Sequence, residues 1–291
     1  MQPVTTAMLE ELVFTKPYFE REGLIVASEG GKLLGFVHAT AGSAADGSAV
    51  DPNVGVIAML LTEPTERAGE ITLELLAAGV DYLRKRGATT IRVGCAPPHD
   101  PFYLGMYGGA LTAGVLVHDR LFHEALLAEK FQPLQTWQLW RRSLSDFRPP
   151  IDRQQRQLRM KFEVATTSDP ATTTWWEACQ WGPFVRTRYD LVPRGGGAPL
   201  AACWMWDIVP LSRTWGRHAA GFIRWQNFGA DAYPGASLFL CAEILLQLQQ
   251  EQIAIAAAAT HSGEPELATL FQALGFEEYA TGTVYQQSCS G

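Results

Sequence analysis

The sequence predicts an α/β protein of two tandem domains, each a mixed, mostly antiparallel sheet flanked by helices. Three observations lead there. Apolar strand-like runs alternate with helix-like segments along the whole chain, the pattern of layered α/β structure. One order of elements occurs in each half: paired strands, a buried strand, a loop, a long helix, a strand, a short helix and a closing strand. Finally, 291 residues suit two domains of about 140 residues better than one.

Residues 5–20 (TTAMLEELVFTKPYFE) read as a short helix with Thr5 or Thr6 as N-cap. GLIVASEGGKLLGFVHAT gives two apolar runs around Glu29-Gly30-Gly31, a hairpin signal because glycine supplies positive φ in the turn. The polar stretch AGSAADGSAVDPN is a loop. VGVIAMLLT (54–62) is a buried strand stopped by Glu63-Pro64. Over 69–86, Ile71, Leu75, Leu76, Val80 and Leu83 fall on one helical face, and Gly87 closes the helix. ATTIRVGC is the next strand. PPHDPFYLGMYGG predicts a loop and a short helix, HDRLFHEALLAEK another helix, and TWQLWRRSL a terminal strand.

SDFRPPIDRQQRQLR holds two prolines and many polar side chains. It places an N-terminal domain at 1–147, a linker at 148–158 and a C-terminal domain at 159–291. KFEVAT then starts a fresh sheet, with DPATTTWWEACQW as its helix. LAACWMWDIV and AAGFIRWQNF are strands, PGASLFLCAEILLQLQQEQ the long helix and IAIAAAAT a strand. ELATLFQALGF is a helix and EYATGTVYQQ the closing strand. No period of about 20–50 residues recurs, so whole domains are duplicated and a solenoid is excluded.

A formal charge of −7 and a pI near 5.4 argue against a nucleic-acid footprint and against a polybasic membrane surface. No apolar run reaches the length of a membrane span, and the first residues lack a basic and an apolar region of the secretory kind. The expectation is a cytoplasmic protein. Its five cysteines (95, 179, 203, 241, 289) are scattered without CxxC spacing and read as isolated thiols. His118 and His123 lack HExxH spacing, so no metal is expected.

In each half a buried strand runs into a loop and then a long helix, whose N-terminus offers free N–H groups and partial positive charge to an anion. In the first half that junction is Pro64 to Thr72. The string MLLTEPTERAGEITLELLAAGVDYLRKRGATTIRVG resembles the acyl-CoA motif of the Gcn5-related N-acetyltransferase (GNAT) family, where a strand leads to R/Q-x-x-G-x-G/A and a helix. LFQALGFEEYATGTVYQ resembles the family's ending. The resemblance spans about residues 8 to 287. It implies the acyl-CoA N-acyltransferase fold twice, acetyl-CoA as acyl donor, and a small-molecule or peptide amine as acceptor, with neither nucleic acid nor membrane as partner and a homodimer left open. It also implies that the first half lacks the family's initial strand and helix, leaving either a shortened N-terminus or a sheet completed by the second half.

By that resemblance Arg67, Ala68, Gly69, Glu70, Ile71 and Thr72 would hold the CoA pyrophosphate, and backbone at Met59, Leu60 and Leu61 the thioester arm. Glu70 and Thr72 stand where the family has small residues, and Glu70 sets a negative charge beside an anion. The second half keeps Gly235 and Ser237 but no leading Arg or Gln. Direct attack of an amine on a thioester needs a base, an oxyanion donor and an acid for the departing thiolate. The family's acid tyrosine maps to Tyr107, with Asp100 where an Asn is common. The second half has Phe271, which donates no proton. Glu63 is the candidate base, with His38 or a water chain as others.

Cys95 lacks a His/Asp partner and reads as a small buried hydrophobe. Gly195 to Gly197 precede a strand and form a loop. Tryptophans 175, 176, 181, 204, 206, 215 and 225 either line a pocket for an apolar acceptor or pack core and interface. The reading is an N-acetyltransferase whose N-terminal domain is the active one. The alternative is a catalytically degenerate relative that binds CoA as a sensor or serves as an interaction scaffold.

Overall fold

The hairpin Glu29-Gly30-Gly31-Lys32 turns with both glycines left-handed, at φ 59 and 82, and so seeds the first edge of the sheet. The structure, a computed structural model, describes residues 4–106, 109–209, 212 and 216–289. Helix α1 (Thr6–Leu9) is capped by the Thr5 hydroxyl and continues as a single π-helical stretch, Glu10–Phe14. Then come β1 (Leu24–Glu29), β2 (Lys32–Ser43), β3 (Val50–Thr62), α2 (Ala68–Lys85), β4 (Thr90–Val93), β5 (Val115–Leu116), α3 (Arg120–Ala128) and β6 (Gln132–Ser143). The second half adds α4 (Arg153–Lys161), β7 (Phe162–Ser168), α5 (Trp175–Trp181), β8 (Arg186–Pro193), β9 (Ala201–Asp207) and β10 (Ala219–Asn227). It ends with α6 (Ala236–Gln250), β11 (Ile255–His261), α7 (Pro265–Ala273) and β12 (Glu277–Ser288).

The two expected sheets are joined into one of twelve strands, ordered β1-β2-β3-β4-β12-β6-β11-β10-β9-β8-β7, with β5 beside β12. Two neighbouring pairs are parallel, β3 with β4 and β10 with β11; the others are antiparallel. The closing strands are exchanged. β12, last in the chain, lies between β4 and β6 of the first half, while β6 lies against β11 of the second. The second half thus contributes a strand to the first half's sheet.

Alternation along β2 and β3 sends Val37, Ala39 and Ile57 to one face and Val56 and Ala58 to the other. On the first face α2 docks through Ile71, Leu75, Leu76, Val80 and Leu83, the stripe its periodicity predicts. Each such side chain contributes about 1.5–3 kcal/mol by burial. On the second face, Leu12, Val13 and Tyr18 meet Trp176, Trp181 and Trp206 from the second half. Tyr18 stacks on Trp176 at 4.8 Å. The buried Lys16 ammonium donates to the carbonyls of Cys179 and Gln180, 2.8 and 3.1 Å away. Of the two readings of the tryptophans, core and interface packing holds for Trp176, Trp181 and Trp206; Trp215 lies outside the described residues.

Two local expectations are corrected. Residues 97–106 form turns and no helix, because Pro97, Pro98 and Pro101 remove the N–H donors a helix needs. The segment expected as linker contains the start of α4, since the Asp152 carboxylate accepts from Gln155 N at 2.7 Å and Leu158 is buried in the second core. A strand unforeseen in the sequence, β8, pairs with β7 and β9.

Candidate functional site

β3 and β4 stay paired only from Val54↔Thr90 to Ile57↔Val93. At that point β3 takes a bulge, so that His38 faces Met59 while Ala39 faces Ile57. A bulge adds one residue and bends its strand. Past it β3 runs on to Thr62 and the two strands part. Gly94 follows at φ 88, and a Cβ there would lie 2.7 Å from the Gly114 Cα, so the far wall is bare backbone. The wedge opens into a cleft of about 1030 Å³. Its walls include Ala58, Met59, Leu60 and Leu61 of β3, Val115 and Phe122 on one side, and Val26, Leu33 and Phe14 on the other. These last three are large apolar side chains left 56%, 57% and 42% exposed, a contiguous apolar rim of the kind that marks a binding surface.

Tyr103 lines this cleft. Its hydroxyl is 2.7 Å from Nδ1 of His38, which is fully buried on β2. The imidazole stacks on Phe102 at 4.4 Å and meets the Phe19 edge at 5.6 Å, while its Nε2 has no hydrogen-bond partner among the described residues. Burial pushes the His38 pKa down to about 4, so the ring is neutral near pH 7, and it pushes the Tyr103 phenol upward, so the phenol keeps its proton. Tyr103 holds a left-handed φ of 66. For a bulky non-glycine residue that costs about 1–2 kcal/mol, and such strain clusters at functional sites.

Met59, Leu60 and Leu61 therefore line the cleft. Ala68, Ile71 and Thr72 are buried, and the Thr72 hydroxyl donates to Ala68 O at 2.8 Å. Gly69 is open, with only Leu121 Cδ2 at 3.9 Å from where a Cβ would stand. Arg67 is exposed and held by Glu70 at 2.9 Å and Glu29 at 3.1 Å. Glu63 is not among the cleft-lining side chains, and its carboxylate is bound to Lys32 at 2.8 Å. Tyr107 lies outside the described residues. Sequence reasoning missed the Tyr103–His38 pair: PFYLGMYGG offers two tyrosines, and only the turn at 103 decides which one meets His38.

Asp100 is buried, with Oδ2 unpartnered among the described residues; burial raises its pKa to about 7. Burial also lowers His99 to about 4. Their pH effects oppose. Asp100 binds a proton in the folded state between its ordinary pKa of 3.8 and about 7, so its stabilisation is full below that window and lost as pH rises through it. His38 and His99 stay neutral in the folded state from 6.5 down to about 4, so their stabilisation is lost as pH falls. Asp100→Asn is expected to raise stability at pH 8, where the native carboxylate is ionised and buried, by on the order of a few kcal/mol. The gain should vanish at pH 4, as read from urea unfolding at both pH values.

Among the described residues no group of His, Cys, Asp or Glu is arranged to hold a metal, and no helix is long and apolar enough to cross a membrane.

Residues 4–107 match the acetyltransferase (GNAT) family model. The chain is similar to a solved tandem GNAT protein from the clavulanic acid biosynthesis pathway, at 13% identity and TM-score 0.57, over 91% of this chain and 82% of that one. It is similar to a GCN5-related N-acetyltransferase from Sphaerobacter thermophilus, at 11% identity and TM-score 0.56, over 91% and 79%. It also resembles the glucosamine N-acetyltransferase region of a fungal multi-domain beta-N-acetylglucosaminidase, at 14% identity and TM-score 0.64, over 97% of this chain and 36% of that one. These likenesses show the fold. No curated protein matches the chain.

Proposed function

We propose that the chain, whose residues 4–107 match the acetyltransferase (GNAT) family model and whose fold is similar to that of a tandem GNAT protein, transfers an acetyl group in its first half from acetyl-CoA to an apolar primary amine. The observation that carries the proposal is the β3–β4 wedge opening beside a buried tyrosine–histidine pair. A pantetheine arm fits as an added strand against β3 beyond Ile57, where no further pair with β4 forms. The open start of α2 at Gly69 suits the pyrophosphate. The amine enters across the rim of Phe14, Val26 and Leu33, where its apolar body replaces water.

The proton steps follow from the pair. With His38 in the Nδ1–H tautomer, Nδ1–H donates to the Tyr103 oxygen and the phenolic proton faces the cleft. As the tetrahedral intermediate collapses, Tyr103 gives that proton to the CoA sulfur, and the His38 N–H steadies the oxygen left behind. The ammonium proton of the attacking amine returns to Tyr103 or leaves through the open mouth of the cleft. Glu63 takes no part, because Lys32 holds it.

Titration with acetyl-CoA tests donor binding, since a ligand of the folded state raises stability by RT ln(1 + [L]/Kd). The melting temperature is expected to rise at millimolar acetyl-CoA, and thiol release is expected with phenethylamine or hexylamine over ethanolamine. No shift in melting temperature would sink the donor assignment. A shift without thiol release from any amine favours a CoA sensor, a reading that draws support from Arg67 being neutralised by Glu29 and Glu70. Glu70→Gln, which removes an acidic side chain beside the pyrophosphate seat, is expected to tighten acetyl-CoA binding roughly two- to five-fold. Arg67→Ala is expected to weaken it by a similar factor.

A further inference from the structure

The second half covers the start of its own long helix. Helix α4 lies across the start of α6, where Gln154 Nε2 donates to Pro234 O at 2.5 Å and Gln155 Nε2 to Gly235 O at 3.4 Å. Its helix α5 instead packs into the core that holds Phe102 and Tyr103 of the first half.

Helix α5 is fixed from both ends. The Thr174 hydroxyl caps its start, accepting from Glu177 N at 3.1 Å, and the Glu177 carboxylate pairs with the buried Arg186 at 3.1 Å. At its other end Trp181 meets Trp206 of β9 at 5.5 Å. So anchored, α5 holds the turn before Tyr103 by two routes. Directly, Gln180, which is buried, donates from Nε2 to Asp100 O at 2.9 Å. Indirectly, Trp176 stacks on Tyr18, whose hydroxyl donates to Pro101 O at 2.7 Å. Lys16, two residues before Tyr18, ties the same segment to the Cys179 and Gln180 carbonyls in the last turn of α5.

Two consecutive carbonyls, those of Asp100 and Pro101, are thus each held by a buried side-chain donor. Neither residue belongs to a strand or a helix. The next two residues are Phe102, on which the His38 ring stacks, and Tyr103, whose hydroxyl meets His38 Nδ1. Tyr103 has φ 66, a backbone state unfavourable to an L-residue that persists only where its surroundings over-determine it. The bonds from Gln180 and Tyr18 supply that constraint.

We propose that α5 of the second half sets the proton donor of the first, with Gln180 a positioning residue that acts through the Asp100 carbonyl to hold Tyr103 against His38. The inference rests on the role given to Tyr103 above. It also gives the second half a part in the reaction that needs no CoA of its own. Gln180 does not line the cleft, so its loss should move the proton step and leave donor binding alone.

Gln180→Leu is expected to lower kcat by about ten-fold, the scale of a small misplacement of a reacting group, with KM for acetyl-CoA within a factor of about two. Tyr18→Phe, which keeps the stack on Trp176 and loses only the bond to Pro101, should lower kcat by less. Ile244→Val, in the second core, is the control for stability alone; it should lower the melting temperature and leave kcat at the wild-type value. A second readout needs no turnover. In protein labelled with 15N-histidine, the Nδ1 resonance of His38 is expected to move in Gln180→Leu toward its position in Tyr103→Phe, where the bond is absent. His38→Gln assigns that resonance.

The proposal is overturned if both Gln180→Leu and Tyr18→Phe keep kcat within about two-fold of wild type, or if Ile244→Val loses as much as they do. It is overturned equally if the His38 resonance stays at its wild-type position in both variants. Wild-type protein that acetylates no amine would remove the acetyl-transfer reading instead, and the resonance would still decide whether α5 sets Tyr103.

Discussion

A chain ending at residue 276, without β12, is expected to show no cooperative unfolding transition. The strand is last in sequence yet central in the sheet, with register pairs to β4 from Tyr285↔Val93 to Ser288↔Thr90 and to β6 from Glu277↔Arg141 to Gln286↔Gln132. It also carries the pairing of β5, Gly282 to Leu116 and Thr283 to Val115. Its removal would leave β4 and β6 facing each other with unpaired backbone, and a buried peptide group without a partner costs about 1–3 kcal/mol. Val284 and Tyr285, both buried, would be lost from two different cores. Against a total stability of about 5–15 kcal/mol, that sum is enough to abolish the fold. For the same reason residues 1–147 expressed alone should be insoluble or unfolded, because β6 would lose both its neighbours, β12 and β11. Circular dichroism through a thermal ramp reads both cases. A sharp transition from the 1–147 fragment would show that the exchanged strands do not bind the halves together.

The elements of this fold were legible where burial on one face writes a period into the sequence. Helix α2 is the clearest case, with its five core residues at helical spacing. Strand β8 was not legible, because Arg186, Arg188 and Asp190 break any apolar run. The structure accounts for these charges, pairing Arg188 with Asp190 at 2.7 Å and Arg186 with Glu177 at 3.1 Å. The exchange of β6 and β12 was hidden for a different reason. Each closing strand has the apolar pattern of a sheet interior, and pattern reports burial without naming the neighbour. At the site, Met59 to Leu61 were reachable because a buried strand running into a helix-start loop is a visible order. Tyr103 was out of reach: its left-handed backbone follows from the crowded turn after Asp100-Pro101, and its partner His38 lies 65 positions away.

Tyr103→Phe is expected to lower kcat by about a hundred-fold, the scale of a lost general acid, with KM for acetyl-CoA within a factor of about two. The ring stays, so the packing against Phe102 and the wall of the cleft is kept; only the proton and its bond to His38 go. That bond is buried, and losing it leaves both imidazole nitrogens unpartnered, so a stability loss of about 1–3 kcal/mol accompanies the variant. Stability and chemistry are separated by assaying well below the melting temperature and by changing the other partner. His38 touches no substrate and acts through Tyr103, as a positioning residue. His38→Gln, whose amide can still donate to the phenol oxygen, should therefore retain more turnover than His38→Leu, although both remove the imidazole. If position 38 served packing alone, the leucine would do as well as the glutamine. The leaving group gives the final discrimination. An acyl donor whose thiol is more acidic than CoA needs less help from an acid, so Tyr103→Phe should be milder on such a donor than on acetyl-CoA. Equal losses on both donors, or turnover by Tyr103→Phe within two-fold of wild type, would remove Tyr103 from the proton path and return that role to Tyr107 or to water.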